Sequence, residues 1–186
     1  MKCIVVGLDH CDQTSDTKSH DVERSLCEIL DDNGEIELIA EERRPTITIE
    51  TVPQKVAAKR GIRCAPVDMP LELREQLGIA EALQDRFGFD PRRKVRFGCY
   101  LNHEDGLREK YWIDQIMKDG AKNVAVICGT LHVDQFAAKM RQRGWEVRQF
   151  DLCAEAWYRE AHPTVKFFTR DGRRCYEEPD STDWDF

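Results

Sequence analysis

Asn123-Val124-Ala125-Val126-Ile127-Cys128-Gly129-Thr130-Leu131-His132 decides the fold of this 186-residue chain. Asn123 to Cys128 is a short, continuously apolar run rich in β-branched residues, the pattern of a strand covered on both faces. Gly129 then turns the chain, and Val133, Phe136, Ala137 and Met140 recur at helical spacing up to Gly144. A doubly covered strand that passes straight into an amphipathic helix belongs to a parallel sheet layered between helices.

The same design opens the chain. Lys2 to Leu8 reads as a buried strand, and it too ends in a Gly-x-x-His motif, Gly7-Leu8-Asp9-His10. Thr14, Ser15, Thr17 and Ser19 offer helix N-caps. Val22, Leu26, Ile29 and Leu30 form an apolar stripe that stops at Asp32-Asn33-Gly34, and Ile36 to Ala40 is a second strand. Strand, helix, strand is the crossover unit of a parallel sheet. Further along come a helix over Thr51–Arg60, a third strand over Ile62–Val67, and a helical stretch over 70–88 interrupted at Gly78 and Gly88. Phe89 to Asp105 reads as a loop holding a short strand, Val95–Leu101. A long helix over Glu104–Lys118 carries Leu107, Trp112, Ile116 and Met117. Trp145–Leu152 is the next strand and Cys153–Ala161 a short helix. Asp171-Gly172 suits the tight turn of a hairpin with arms at Val165–Thr169 and Arg173–Tyr176. The expected fold is a single α/β domain over residues 1–176: a three-layer arrangement with a largely parallel central sheet, flanking helices and a C-terminal β-hairpin. An acidic, mobile tail, 177–186, follows and offers Trp184 and Phe186 as contacts.

Composition narrows the class. The hydrophobic fraction of 41% is that of a folded chain, and 186 residues can bury a core without metal staples. A net charge of −7 argues against duplex nucleic acid as a partner, since phosphate binding rests on Lys and Arg clusters. The one basic run, Arg92-Arg93-Lys94-Val95-Arg96, reads as a solvated loop or an anion-binding patch. The apolar start is too short for a signal peptide, and no run approaches the ~18 apolar residues of a spanning helix. The expected location is the cytoplasm, without membrane association. No pair among the eight cysteines has Cys-x-x-Cys spacing, so free thiols are expected. Cys3, Cys27 and Cys128 fall on apolar faces; Cys11 flanks His10.

Ligands of open α/β sheets sit outside the carboxyl ends of the strands. The polar residues at those ends are His10, the pair Glu41-Glu42, and His132; Arg108 and Glu109 lie in the first turns of the long helix that leads into Asn123. Thr130 is a candidate N-cap, and the positive helix end favours a neutral His132, suited to ligate a metal or accept a proton. Gly129 would let backbone approach a ligand. Two acids and two imidazoles suit a divalent cation that generates hydroxide. The same groups without metal suit general-base hydrolysis. Each feature alone also has an ordinary reading: a solvated Glu-Glu loop, a surface Arg-Glu salt bridge, a strand-end histidine of no chemical role. Asp9 and Asp134 flank the motif histidines as candidate supporting partners. His20 and His162 read as exposed, and His103 is open.

In order along the chain, Gly7-x-x-His10, Glu41-Glu42, Arg108-Glu109 and Gly129-x-x-His132 resemble the motif series of the erythromycin-esterase/ChaN-like and TraB/PrgY/Tiki superfamily, over residues 1 to about 150. The resemblance implies an α/β fold with these residues lining one cleft. It implies a catalytic set of His10, Glu41, Glu42, Arg108, Glu109 and His132, with His10, Glu42, Glu109 and His132 as ligands of a Mn, Co or Zn ion where metal is used. The implied activity is hydrolysis of an ester, lactone or amide bond in a small-molecule or peptide substrate; the alternative is a non-catalytic ligand- or partner-binding module with the same cleft. The chain departs from the series in its shorter length and in Arg-Glu where Arg-Asp is common.

Overall fold

A computed structural model describes residues 1–14, 19–43, 49–79, 87–90 and 95–179; the side chains of His10, Cys11, Ser19, residues 87–90, Val95, Arg96 and Pro179 also lie outside the description. The elements are β1 (Lys2–Leu8), α1 (His10–Thr14), α2 (Ser19–Asp31), β2 (Leu38–Glu41), α3 (Val52–Arg60), β3 (Arg63–Pro66), α4 (Leu71–Gln76), β4 (Phe87–Asp90), β5 (Val95–Cys99), α5 (Glu104–Asp119), β6 (Asn123–Gly129), α6 (Val133–Gln142), β7 (Glu146–Asp151), α7 (Ala156–Ala161), β8 (Lys166–Arg170) and β9 (Arg173–Pro179).

The central sheet is wholly parallel, in the order β3-β2-β6-β1-β7. Alternate residues of its strands feed two cores. Cys3, Val5, Leu38, Ala40, Val124 and Val126 pack against α5 and α6. Ile4, Val6, Leu8, Ile39, Ala125 and Ile127 pack against α2 and α3. Burial on both faces is why these strands read as unbroken apolar runs, and the expected three-layer α/β architecture is the one observed. On α5 the buried face is Trp112, Ile113 and Ile116, whereas Met117, expected on it, is 48% exposed.

The C-terminal hairpin forms with Asp171 and Gly172 at positive φ (50° and 71°), as a tight hairpin turn requires. It is not isolated. β4 and β5, from the region read largely as helix and loop, pair with it in an antiparallel sheet of order β4-β5-β9-β8. Gly88, expected to break a helix, lies inside β4. Strand β9 runs to Pro179, three residues past its expected end; the rest of the acidic tail, with Trp184 and Phe186, lies outside the described residues, as do Arg92, Arg93 and Lys94.

Cys99 and Cys175, directly opposite each other on β5 and β9, form a disulfide, which corrects the expectation of free thiols for this pair. Among the described residues Cys3, Cys27, Cys64, Cys128 and Cys153 are free. Burial pushes the Cys3 and Cys64 thiols up to about 12, so they remain protonated near neutrality. No helix among the described residues is long and apolar enough to cross a membrane.

β1 and β6 are neighbours in register, Gly7 facing Cys128 and Leu8 facing Gly129, so the two Gly-x-x-His motifs leave adjacent strand ends. They leave on opposite faces: α1 packs against α2 and α3, whereas the turn at Thr130–His132 leads into α6 on the other side. Adjacent strands whose connections diverge create the switch-point crevice of an open sheet. Gly7 permits it sterically, because a Cβ there would lie 2.3 Å from Val133 Cγ2 and 3.1 Å from Thr130 Cα.

Two outcomes follow from this frame. Gly7→Ala should cost about 1–3 kcal/mol in urea unfolding through overpacking, and Val133→Ala in the same chain should recover part of it, so that the double variant loses less than the two singles summed. The disulfide closes a span of 76 residues; its reduction should lower unfolding free energy by up to about 4.5 kcal/mol on chain-entropy grounds, read as a lower urea midpoint after dithiothreitol treatment.

Candidate functional site

Asp105, Arg108, Glu109 and Trp112 are spaced i, i+3, i+4 and i+7 on α5, so they share the face that continues into Ile113 and Ile116. The face is buried throughout, and Asp105 and Glu109 are wholly inaccessible. Charged groups are buried at this cost only when other groups satisfy them, and the satisfying groups arrive from the sheet rim.

Arg108 is the hub, 4% exposed. Its Nη2 donates to Glu42 Oε1 and, at 3.0 Å, to Asp68 Oδ1, which its Nε also reaches at 3.3 Å. Its Nη1 donates to Asp105 Oδ1 at 3.2 Å. The guanidinium carbon lies 5.2 Å from the centre of the Trp112 ring. Burial works against its charge, but Glu42, Asp68 and Asp105 outweigh that and hold its pKa above the ordinary arginine value. Each carboxylate is fixed in turn. Glu42 Oε2 accepts the Gly129 N–H at 2.7 Å. Asp68 accepts from Trp112 Nε1 at 3.0 Å, from the Met69 N–H at 2.9 Å and from Arg74. Asp105 Oδ2 accepts the Leu101 N–H at 2.8 Å.

His132, 1% exposed, closes the network. Its Nδ1 lies 2.8 Å from Glu109 Oε1 and its Nε2 lies 3.3 Å from Arg108 Nη1. A guanidinium can only donate, so Nε2 is the acceptor and Nδ1 carries the proton it gives to Glu109. The partners therefore assign the tautomer. Glu109 Oε2 also accepts from Lys139 Nζ at 2.5 Å, and Lys139 donates to Tyr100 Oη at 3.3 Å. Burial first, then Glu109, raises the Tyr100 phenol above its usual range, keeping it a neutral donor. The imidazole is held between Tyr100, edge-on at 5.6 Å, and Trp112 at 4.8 Å.

Of the six expected catalytic residues, Glu42, Arg108, Glu109 and His132 converge. Glu41 does not: it is the last residue of β2, pairs with Arg43 at 3.2 Å, and acts on Cys64 of the neighbouring strand instead. Successive strand residues point to opposite faces, and here that separates Glu41 from Glu42. The His10 side chain lies outside the described residues, so its distance from His132 does too. Asp134, expected to support His132, is exposed and bonds to Gln149 at 3.1 Å. Asp9 accepts from Tyr158 Oη at 3.0 Å. Thr130 does not cap α6; its hydroxyl donates to Asp151 at 2.8 Å. His20 and His103 are exposed, but His162, expected to be so, is half-buried against Tyr158.

Asp68, Asp105, Tyr100 and Lys139 were not among the expected site residues. Two had a legible signal: Asp68 follows the third strand, at the same rim as Glu42, and Asp105 stands three residues before Arg108 on the stripe that leads to Trp112. Tyr100 and Lys139 had none, since their role depends on packing between β5 and α6.

Among the described residues no group of three His, Cys, Asp or Glu is arranged to hold a metal ion. The donor set of Glu42, Glu109 and His132 does not fit one here, because Arg108 already bonds to Glu42 and to the lone pair of His132. Arg108 supplies the positive charge between Glu42 and His132.

The chain matches no family model, and no curated protein or solved structure is significantly similar to it.

Arg108→Met should destabilise the protein by about 3–5 kcal/mol in denaturant unfolding, because it leaves Glu42, Asp68 and Asp105 buried without their shared cation. Arg63→Met, which removes only the exposed pair with Asp119, should cost less than about 1 kcal/mol.

Proposed function

We propose that the protein is a hydrolase of ester, lactone or amide bonds, of the erythromycin-esterase/TraB/Tiki type, with His132 as its general base. The observation that carries this reading is the His132–Glu109 pair. A carboxylate oriented on Nδ1–H fixes the imidazole with Nε2 as the basic nitrogen, the arrangement that general-base catalysis needs.

Arg108 then has two positions. Without substrate its Nη1 donates to Nε2 and occupies the lone pair. When a substrate carbonyl enters, Arg108 donates to that oxygen instead, which frees Nε2. Water gives its proton to Nε2 as its oxygen adds to the carbonyl carbon, and Arg108 stabilises the charge that develops on the carbonyl oxygen. Nε2–H then protonates the leaving alkoxide or amine. Glu109 balances the imidazolium, and Lys139 holds Glu109 in place. A divalent-metal version of the reaction would require an ion to displace Arg108 from Glu42 and His132. The setting we propose is cytoplasmic, on the strength of the free thiols; there Cys99–Cys175 is sheltered by the complete burial of Cys175.

The second reading is a non-catalytic binding module with the same residues. Its support is the closure of the network: His132 is almost wholly buried and its basic nitrogen is already satisfied by Arg108.

The test is turnover of a panel of aryl esters, lactones and peptides by purified protein whose metal content is measured in parallel. His132→Ala and Glu109→Gln should lower kcat by on the order of 10²- to 10⁴-fold, with circular dichroism showing both variants folded. Undiminished turnover in folded His132→Ala would remove the assigned base. No turnover on any substrate, together with ligand-induced thermal stabilisation, would favour the binding module. Stoichiometric metal whose removal abolishes activity would replace the metal-free mechanism by the metal-dependent one.

A further inference from the structure

A cleft of about 390 Å³ lies beyond the carboxyl ends of β1 and β7, with walls that include Asp151, Tyr158, Arg159, Val165, Phe167 and Arg174. Its volume is in the range of small-molecule sites. Both Gly-x-x-His segments touch its lining, although His132 itself does not: Asp9 accepts from Tyr158, and Thr130 donates to Asp151.

The polar groups of the lining differ in how far they are already committed. Asp151 is largely engaged: Oδ1 accepts from Thr130 Oγ1 at 2.8 Å and from the Cys153 N–H at 3.1 Å, and Oδ2 accepts from Arg174. Asp9, behind the wall, is engaged by Tyr158, and Asp12 lies 3.8 Å from His162 Nε2. The arginines are less used. Arg174 bonds to Asp151 through Nη2, and its guanidinium carbon lies 5.3 Å from the centre of the Phe167 ring. Arg159, exposed at the end of α7, makes no ion pair among the described residues. Of the charged groups in this lining, Arg159 and the remaining N–H groups of Arg174 are the least committed, beside the His162 ring that also lines the cleft, in a chain whose net charge is −7. The remaining walls, Tyr158, Val165 and Phe167, are aromatic or aliphatic.

We infer that this cleft binds the carboxylate end of a small organic anion with an apolar or aromatic body. Arg159 and the open edge of Arg174 take the carboxylate, and Tyr158 and Phe167 take the body. Guanidinium forks match carboxylate geometry and tolerate aromatic packing. The inference rests on the hydrolytic reading only for its place in the reaction, since cleavage of an ester, lactone or amide leaves a carboxylic acid that would be anionic here.

Benzoate is the probe, because it is not hydrolysed and its binding is read apart from turnover. Titration into ¹⁵N-labelled full-length protein should give saturable shifts confined to the amides around Tyr158, Arg159, Phe167 and Arg174. Benzylamine and benzyl alcohol should give none. Arg159→Gln should weaken benzoate binding about fivefold, the scale of one exposed charge contact, with an unchanged thermal midpoint, and Arg159→Lys should restore most of it. Absent or unsaturable shifts with benzoate, equal binding of benzylamine, or an Arg159→Gln affinity equal to the original would each overturn the assignment. Benzoate binding without turnover on the substrate panel would leave the anion site standing and remove its place in hydrolysis; turnover without benzoate binding would do the reverse.

Discussion

The buried guanidinium of Arg108 is the constraint on which the rim of the sheet depends. One charge removed from water is very costly when isolated. Here the cost is offset by acceptors from four separate parts of the chain: Glu42 just past β2, Asp68 just past β3, Asp105 on the same helix, and His132 between β6 and α6. Four carboxylates, Glu42, Asp68, Asp105 and Glu109, face three cations, Arg74, Arg108 and Lys139. Arg108 serves three of these carboxylates and Asp68 two of these cations, so these loop conformations are mutually dependent. A polar network in a low-dielectric interior is stable when fully satisfied and costly when partly satisfied, and this gives the site its fixed geometry.

The sheet supplies the other half of that geometry. β1 and β6 lie side by side, yet their continuations pack on opposite faces, α1 with α2 and α3, α6 with α5. The close approach of Thr130 and Val133 to Gly7 keeps the second motif tight against the first strand. His132 is thereby directed into the α5 network, while Thr130, two residues earlier, reaches the β7 end and its cleft through Asp151. One short turn thus borders both the His–Glu pair and the cationic cleft. The small antiparallel sheet contributes to both places: Tyr100, next to Cys99, packs on His132, and Arg174, next to Cys175, lines the cleft, with the Tyr100 N–H bonded to the Arg174 carbonyl at 2.9 Å.

Legibility in the sequence followed the range of the forces involved. The central parallel strands β1 and β6 were readable because burial on both faces leaves an unbroken apolar run. The hairpin turn was readable because Asp-Gly tolerates positive φ. The pairing of β4 and β5 with that hairpin was not, since partners some eighty residues apart leave no local trace in short strands containing Gly88, Arg96 and Gly98. The disulfide was missed for the same reason, as spacing along the chain does not reveal which cysteines face each other.

For the site, the sequence by itself determined which residue types stand at the strand ends: a histidine after β6, a glutamate pair after β2, an arginine and a glutamate one residue apart on α5. These are local facts of period and punctuation. Only the tertiary structure decided that Glu42 turns inward while Glu41 turns to the opposite face, that Arg108 rather than a described cluster of metal ligands sits among the carboxylates, and that Asp68, Asp105, Tyr100 and Lys139 complete the set. The reason is that a buried charge selects its partners by distance and geometry in three dimensions, and the sequence states neither.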